Sequence, residues 1–113
     1  MRGKVFVPQV PSRYDISVDD WVPIIDLSPA IMYGELEVLL PPEANRMGPE
    51  KIRDILYKKL CNISEWDWLL ATGDPVIIGI AAAIAANRLG LLRILRWDKR
   101  QKCYDPVELQ LDI

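Results

Sequence analysis

Apolar positions in this chain change their spacing from one stretch to the next, and each change marks an element. "KVFV" predicts a short strand over Lys4–Val7, closed by Pro8. The stretch from about residue 8 to residue 34 shows no sustained period. It predicts a long irregular loop, with an extended piece at Val22–Asp26. "ELEVLLPP" predicts a strand whose apolar residues merge into a run, the pattern of a strand covered on both faces, stopped by Pro41 and Pro42. In "MGPEKIRDILYKKLCNIS", Ile52, Ile55, Leu56, Leu60 and Ile63 share one helical stripe, while Lys51, Arg53, Asp54 and Lys58 lie outside it. Pro49 suits the first turn of that helix, and Glu50 suits its positive end.

"EWDWLLATG" predicts a strand, and "DPVIIGIAAAIAANRLG" predicts a helix with Asp74 as N-cap, Pro75 at the first helical position and Gly90 as the C-terminal cap. That helix is apolar nearly all round, so it is expected to be buried. Gly79 is expected to allow close packing on a sheet. "LLRILRW", a turn at "DKRQ" and "KCYDPVELQL" predict an antiparallel hairpin. Strand, helix, strand, helix, strand with short links argues for parallel pairing. The expected fold is a small single α/β domain, residues 1–113, with a short, mostly parallel sheet, two main helices and a C-terminal antiparallel hairpin.

Composition fits that picture. Half of the 113 residues are hydrophobic and 27% are charged, a globular balance. Six of the nine prolines fall in the first 42 residues, in keeping with an irregular N-terminal part. The net charge of −2 provides no field for steering nucleic acid. The charge is uneven, however: residues 1–50 hold four Lys/Arg against eight Asp/Glu, and residues 51–113 hold ten against eight. Cys61 and Cys103 have no CxxC spacing and read as a reduced intracellular pair. The start Met1-Arg2-Gly3-Lys4 does not read as a signal peptide, and the longest apolar stretch, Pro75–Ala86, is about 12 residues, too short to span a bilayer. A soluble, cytoplasmic protein is expected, with no membrane partner.

The chemistry is sparse. With no histidine, Ser-His, Cys-His and His-metal sites are excluded, and no catalytic constellation, metal site or cofactor is expected. The acidic group Asp15, Asp19 and Asp20 lacks the spacing and glycine of a calcium loop. The Thr72-Gly73-Asp74 turn at a helix start is where α/β sheets often hold an anion, and these three residues are the candidate nucleotide contacts. Asp74 would itself fill that position, Pro75 removes a donor, and neither phosphate-loop glycine motif is present, so capping is the favoured role.

Two further groups are candidates for recognition. Arg93, Arg96, Trp97, Lys99, Arg100 and Lys102 have the makings of a nucleic-acid contact, against the alternative of a charged hairpin guarding a sheet edge. Trp21, with Asp19 and Asp20, and the alternating Trp66 and Trp68, expected to point to one side, are candidates for protein binding.

The stretches "VFVPQVPSR", "DLSPAIMYGELEVLLPP", "LLATGDPVIIGIAAAIAA" and "RILRWDKRQKCYDPVEL" resemble small uncharacterised proteins of tailed bacteriophages over nearly the whole chain. The resemblance implies a phage protein made in the cytoplasm of an infected bacterium, and implies no activity or functional residue. The leading expectation is a non-enzymatic accessory protein that binds a host or phage protein, for example inhibiting or redirecting a host enzyme such as RNA polymerase. A nucleic-acid or nucleotide binder in phage DNA metabolism is the alternative, and a virion or assembly component is a second one.

Overall fold

A computed structural model describes residues 3–112. Its main sheet has five strands in the order β4 (Glu35–Leu40), β1 (Lys4–Gln9), β5 (Trp68–Leu70), β6 (Leu91–Asp98) and β7 (Cys103–Gln110). The first four run parallel, and β7 returns antiparallel to β6. Helices α1 (Pro49–Lys59) and α2 (Pro75–Leu89) complete the domain, with 3-10 turns at Ser28–Tyr33 and Ala44–Arg46. The mostly parallel sheet and terminal hairpin are those read from the pattern.

The parallel strands alternate their faces, and each face builds its own core. Phe6, Leu39 and Leu69 pack with Ile52 and Leu56 of α1 and with Ile77, Ala81 and Ile84 of α2. On the other face Val5, Val7, Leu70 and Leu95 pack with Ala30 of the 3-10 segment and with Tyr104. Each buried leucine of this kind contributes on the order of 2 kcal/mol. The chain leaves β1 across the 3-10 face to reach β4, then crosses back over the helical face to reach β5. Opposite directions on opposite faces are what a single crossover hand requires.

Both helices start where their sequences dictate and α2 also stops there, whereas α1 ends at Lys59, so Leu60 and Ile63 of the expected stripe lie beyond it. Pro49 and Pro75 occupy first turns, where a missing N–H costs nothing. The Asp74 carboxylate accepts a hydrogen bond from the Val76 N–H at 3.1 Å, and Gly90 closes α2 with φ 63°. Asp74→Ala is expected to cost about 1 kcal/mol, lowering the melting midpoint by roughly 4 °C in a calorimetric scan.

Several expectations need correction. The first strand continues through Pro8 to Gln9; Pro8 lies past the last residues paired with β5, so its missing N–H breaks no rung on that side. The supposed irregular loop at about 8–34 contains a separate two-stranded hairpin, β2 (Ser12–Asp15) and β3 (Asp20–Pro23), and the 3-10 segment. Helix α2 buries only one side. Val76, Gly79, Ala83, Asn87 and Arg88 are exposed. A methyl group built on Gly79 would meet nothing within 4 Å, so this glycine does not serve helix–sheet packing. Small apolar residues on the outer face hid the amphipathicity.

Candidate functional site

The connections from β1 and β5 leave in opposite directions, which opens a crevice at the carboxyl ends of these neighbours, the place where open α/β sheets take ligands. Its floor is Gln9. This buried amide donates to the Pro42 carbonyl at 2.8 Å and accepts from the Asp74 N–H at 2.9 Å, joining the loop after β4 to the start of α2. Gly73 passes over it with φ 113°, and a methyl group at Gly73 would stand 2.8 Å from the Gln9 Cβ.

The crevice encloses about 320 Å³, and its walls include Trp21, Asn45, Arg46, Gly73 and Asp74. Of the three predicted nucleotide contacts, Gly73 and Asp74 therefore line it. Thr72 does not line it, and its N–H turns back to the Leu70 carbonyl at 2.9 Å. One Asp74 oxygen is committed to its own helix. The free cation is Arg46, which forms no ion pair among the described residues and which the sequence reading missed. Its one sequence signal is isolation: no other Lys or Arg lies between Arg13 and Lys51.

The hairpin of β2 and β3 rises from the same end of the sheet. Its base is closed by the Ile24 N–H donating to the Pro11 carbonyl at 2.9 Å, and Tyr14 faces Trp21 edge-on across the ladder at 5.8 Å. At the tip, the Asp15 carboxylate accepts from the Ser17 N–H and hydroxyl at 2.9 and 2.7 Å, which holds it below the usual carboxylate range. Asp19 takes the left-handed conformation, φ 50°, and accepts a hydrogen bond from the Tyr14 hydroxyl. These bonds set the turn and leave Ile16 at 87% and Val18 at 60% exposure, flanked by carboxylates. Among the described residues β2 and β3 pair with each other and with no other strand, so the hairpin is an arm.

The tryptophans do not form one surface. Trp21, Asp19 and Asp20 belong to the arm. Trp66 sits in the turn before β5, beside Lys59 and Asn62, at the end where the strands begin. Trp68 is half-buried on the 3-10 face, edge-on to Tyr33 at 5.8 Å. Strand alternation starts only at Trp68, so it does not align Trp66 with it.

The basic set also divides. The Arg93 guanidinium carbon lies over the Trp68 ring, 3.8 Å from its centroid, and the side chain pairs with Glu108 at 3.1 Å and donates to the Asp67 carbonyl at 3.2 Å. Arg96 faces the other side of the sheet and pairs with Asp105 at 3.0 Å. Lys99, Arg100 and Lys102 project from the four-residue turn, which Asp98 caps by accepting from the Arg100 and Gln101 N–H groups. Trp97 stands half-exposed against Tyr104, ring centroids 5.0 Å apart. With Ile25, Asp26 and Pro29 these two rings line an apolar notch of about 370 Å³. Burial, and then the nearby Asp26 carboxylate, push the Tyr104 hydroxyl above its ordinary pKa. Cys61 and Cys103 are exposed free thiols. Among the described residues no cluster of His, Cys, Asp or Glu could hold a metal, and no helix is long and apolar enough to cross a membrane.

The features together define a small α/β protein with a mostly parallel sheet wound in both directions from its first strand, and with a crevice and a projecting arm at the carboxyl end. A family model described as phage Pam3 gp32-like protein matches residues 3–111, and the chain belongs to that phage-protein family. No curated protein and no solved structure shows a significant match to it.

Proposed function

We propose that this phage protein is a non-enzymatic binding protein that docks its β2–β3 arm on another protein, host or phage, in the cytoplasm of the infected bacterium. The exposed tip carries this reading: Ile16 and Val18 are held out by a turn whose polar groups bond one another. Aliphatic side chains presented on a preorganised hairpin lose little entropy on docking, and their carboxylate rim selects partners of opposite charge. Affinity capture from infected cells, with the wild type beside Ile16→Asp/Val18→Asp, tests it. A protein retained by the wild type and lost by the variant is expected. Recovery of the same proteins by both overturns the reading. The variant's unfolding midpoint should stay within about 1 °C, since neither side chain packs on the body.

One observation supports a second reading. Trp21, Arg46 and Asp74 surround the crevice at the strand ends, where a base, a phosphate and a ribose hydroxyl would find a ring, a cation and a carboxylate. Mononucleotide titration should then shift the backbone amide resonances of Thr72, Gly73, Asp74 and Val76 and the Trp21 indole resonance. Unmoved resonances at millimolar ligand reject it. The basic hairpin supports nucleic-acid binding less, because Arg93 and Arg96 are engaged within the fold.

A further inference from the structure

We infer that the partner of the arm is a second copy of this chain: two copies exchange arms, each tip entering the Ile25–Trp97–Tyr104 notch of the other. This inference rests on the reading of the arm as a docking element. It joins three features that the fold leaves unconnected. The first is the tip, with Ile16 and Val18 exposed inside a rim of Asp15, Asp19 and Asp20. The second is the notch, whose walls of Ile25, Pro29, Trp97 and Tyr104 are apolar and whose volume of about 370 Å³ suits a pair of aliphatic side chains. The third is the turn that begins two residues beyond Trp97, with Lys99, Arg100 and Lys102 unpaired among the described residues.

The placement of the notch makes the exchange reciprocal. Ile25 lies two residues past the end of β3, so each notch adjoins the base of its own arm. Four strand residues lift the tip about 13 Å from that base. A tip cannot reach its own notch without dismantling the β2–β3 ladder. Two arms laid antiparallel bring each tip to the other's base at the same time, which gives a closed two-fold dimer.

The charges favour the same pairing. The rim cations of one copy meet the tip carboxylates of the other, and Asp15 stays ionised because Ser17 hydrogen-bonds it. Asp26 at the notch opposes the acidic tip, and Asp98 is turned into its own loop. The three cations outweigh them.

Sedimentation velocity on the full chain, at concentrations on the order of 100 µM, provides the test. The wild type is expected to sediment as a dimer that weakens at about 0.5 M salt, where the Debye length is only a few ångströms. Ile16→Asp/Val18→Asp should be monomeric. Asp19→Asn/Asp20→Lys alone, or Lys99→Glu/Arg100→Glu alone, should weaken the dimer at least tenfold, and combining the two pairs in one chain should restore most of it. Asparagine keeps the left-handed backbone at residue 19, so the arm stays folded.

A wild type that is monomeric throughout overturns the pairing, as does a dimer indifferent to Ile16→Asp/Val18→Asp. Arm-dependent species larger than dimers overturn the closed exchange. If the wild type is monomeric yet captures a different protein through Ile16 and Val18, the exchange fails and the docking role of the arm stands. If the arm variant changes neither association nor capture, both fail.

Discussion

Gly73→Ala lowers the thermal unfolding midpoint by an expected 12 °C, roughly, or about 3 kcal/mol for a domain of this size. Two costs add. The backbone at residue 73 holds φ 113°, which an L side chain adopts only under strain of order 1–3 kcal/mol. The new methyl group also arrives 2.8 Å from the Gln9 Cβ and 2.9 Å from the Gln9 carbonyl oxygen, and those atoms sit at the end of β1, an interior strand held between β4 and β5. They cannot withdraw without disturbing the β1–β4 pairing. Gly79→Ala, six residues on in the same segment, is the control of opposite sign. Its methyl group meets nothing within 4 Å on an exposed helical face, so about 1 kcal/mol of stability is gained. Calorimetry on the two variants reads both effects. Equal midpoints would show that Gly73 does not bear on Gln9 as described.

The contrast also shows where the sequence was legible. Capping of α2 could be read from residue types because a helix start is local: Asp74 and Pro75 each supply one backbone requirement at a fixed offset. The roles of Gly73 and Gly79 could not be assigned that way. A glycine says that a side chain is absent, and only the fold says what stands in the vacated space. Gln9 is similar. Its burial and its bridge between Pro42 and Asp74 join residues 32 or more apart, which no periodicity reports. The crevice residues Trp21 and Arg46 come from two connections that meet only because β4 and β5 flank β1.

The arm was hidden for a different reason. Strands of four residues between prolines at 11 and 23 are too short to establish an alternation, and the cross-strand pair of Tyr14 and Trp21 spans seven positions. What the segment does carry is turn chemistry: an aspartate two residues before a serine, and a second aspartate able to take a left-handed backbone. Such signals mark a reversal and leave open whether strands flank it.

Arg93→Ala separates a structural cation from a recognition one. In this fold Arg93 is enclosed on three sides, by the Trp68 ring, by Glu108 and by the Asp67 carbonyl, with only 15% of its side chain exposed. Its removal forfeits the cation–π contact and leaves the Trp68 face uncovered, a loss of about 2 kcal/mol once the exposed Glu108 partner is discounted for solvent screening. The midpoint should fall by roughly 8 °C. Arg93→Lys should recover less than half of this, because a single ammonium group cannot cover the indole ring while reaching both oxygens. Triple replacement of Lys99, Arg100 and Lys102 by alanine should leave the midpoint within about 2 °C, since these side chains form no ion pair among the described residues. Thermal melts of the three variants, read by tryptophan fluorescence, decide the matter. If Arg93→Ala proves as stable as the wild type, the guanidinium is free for an outside phosphate and the basic face regains its claim on nucleic acid.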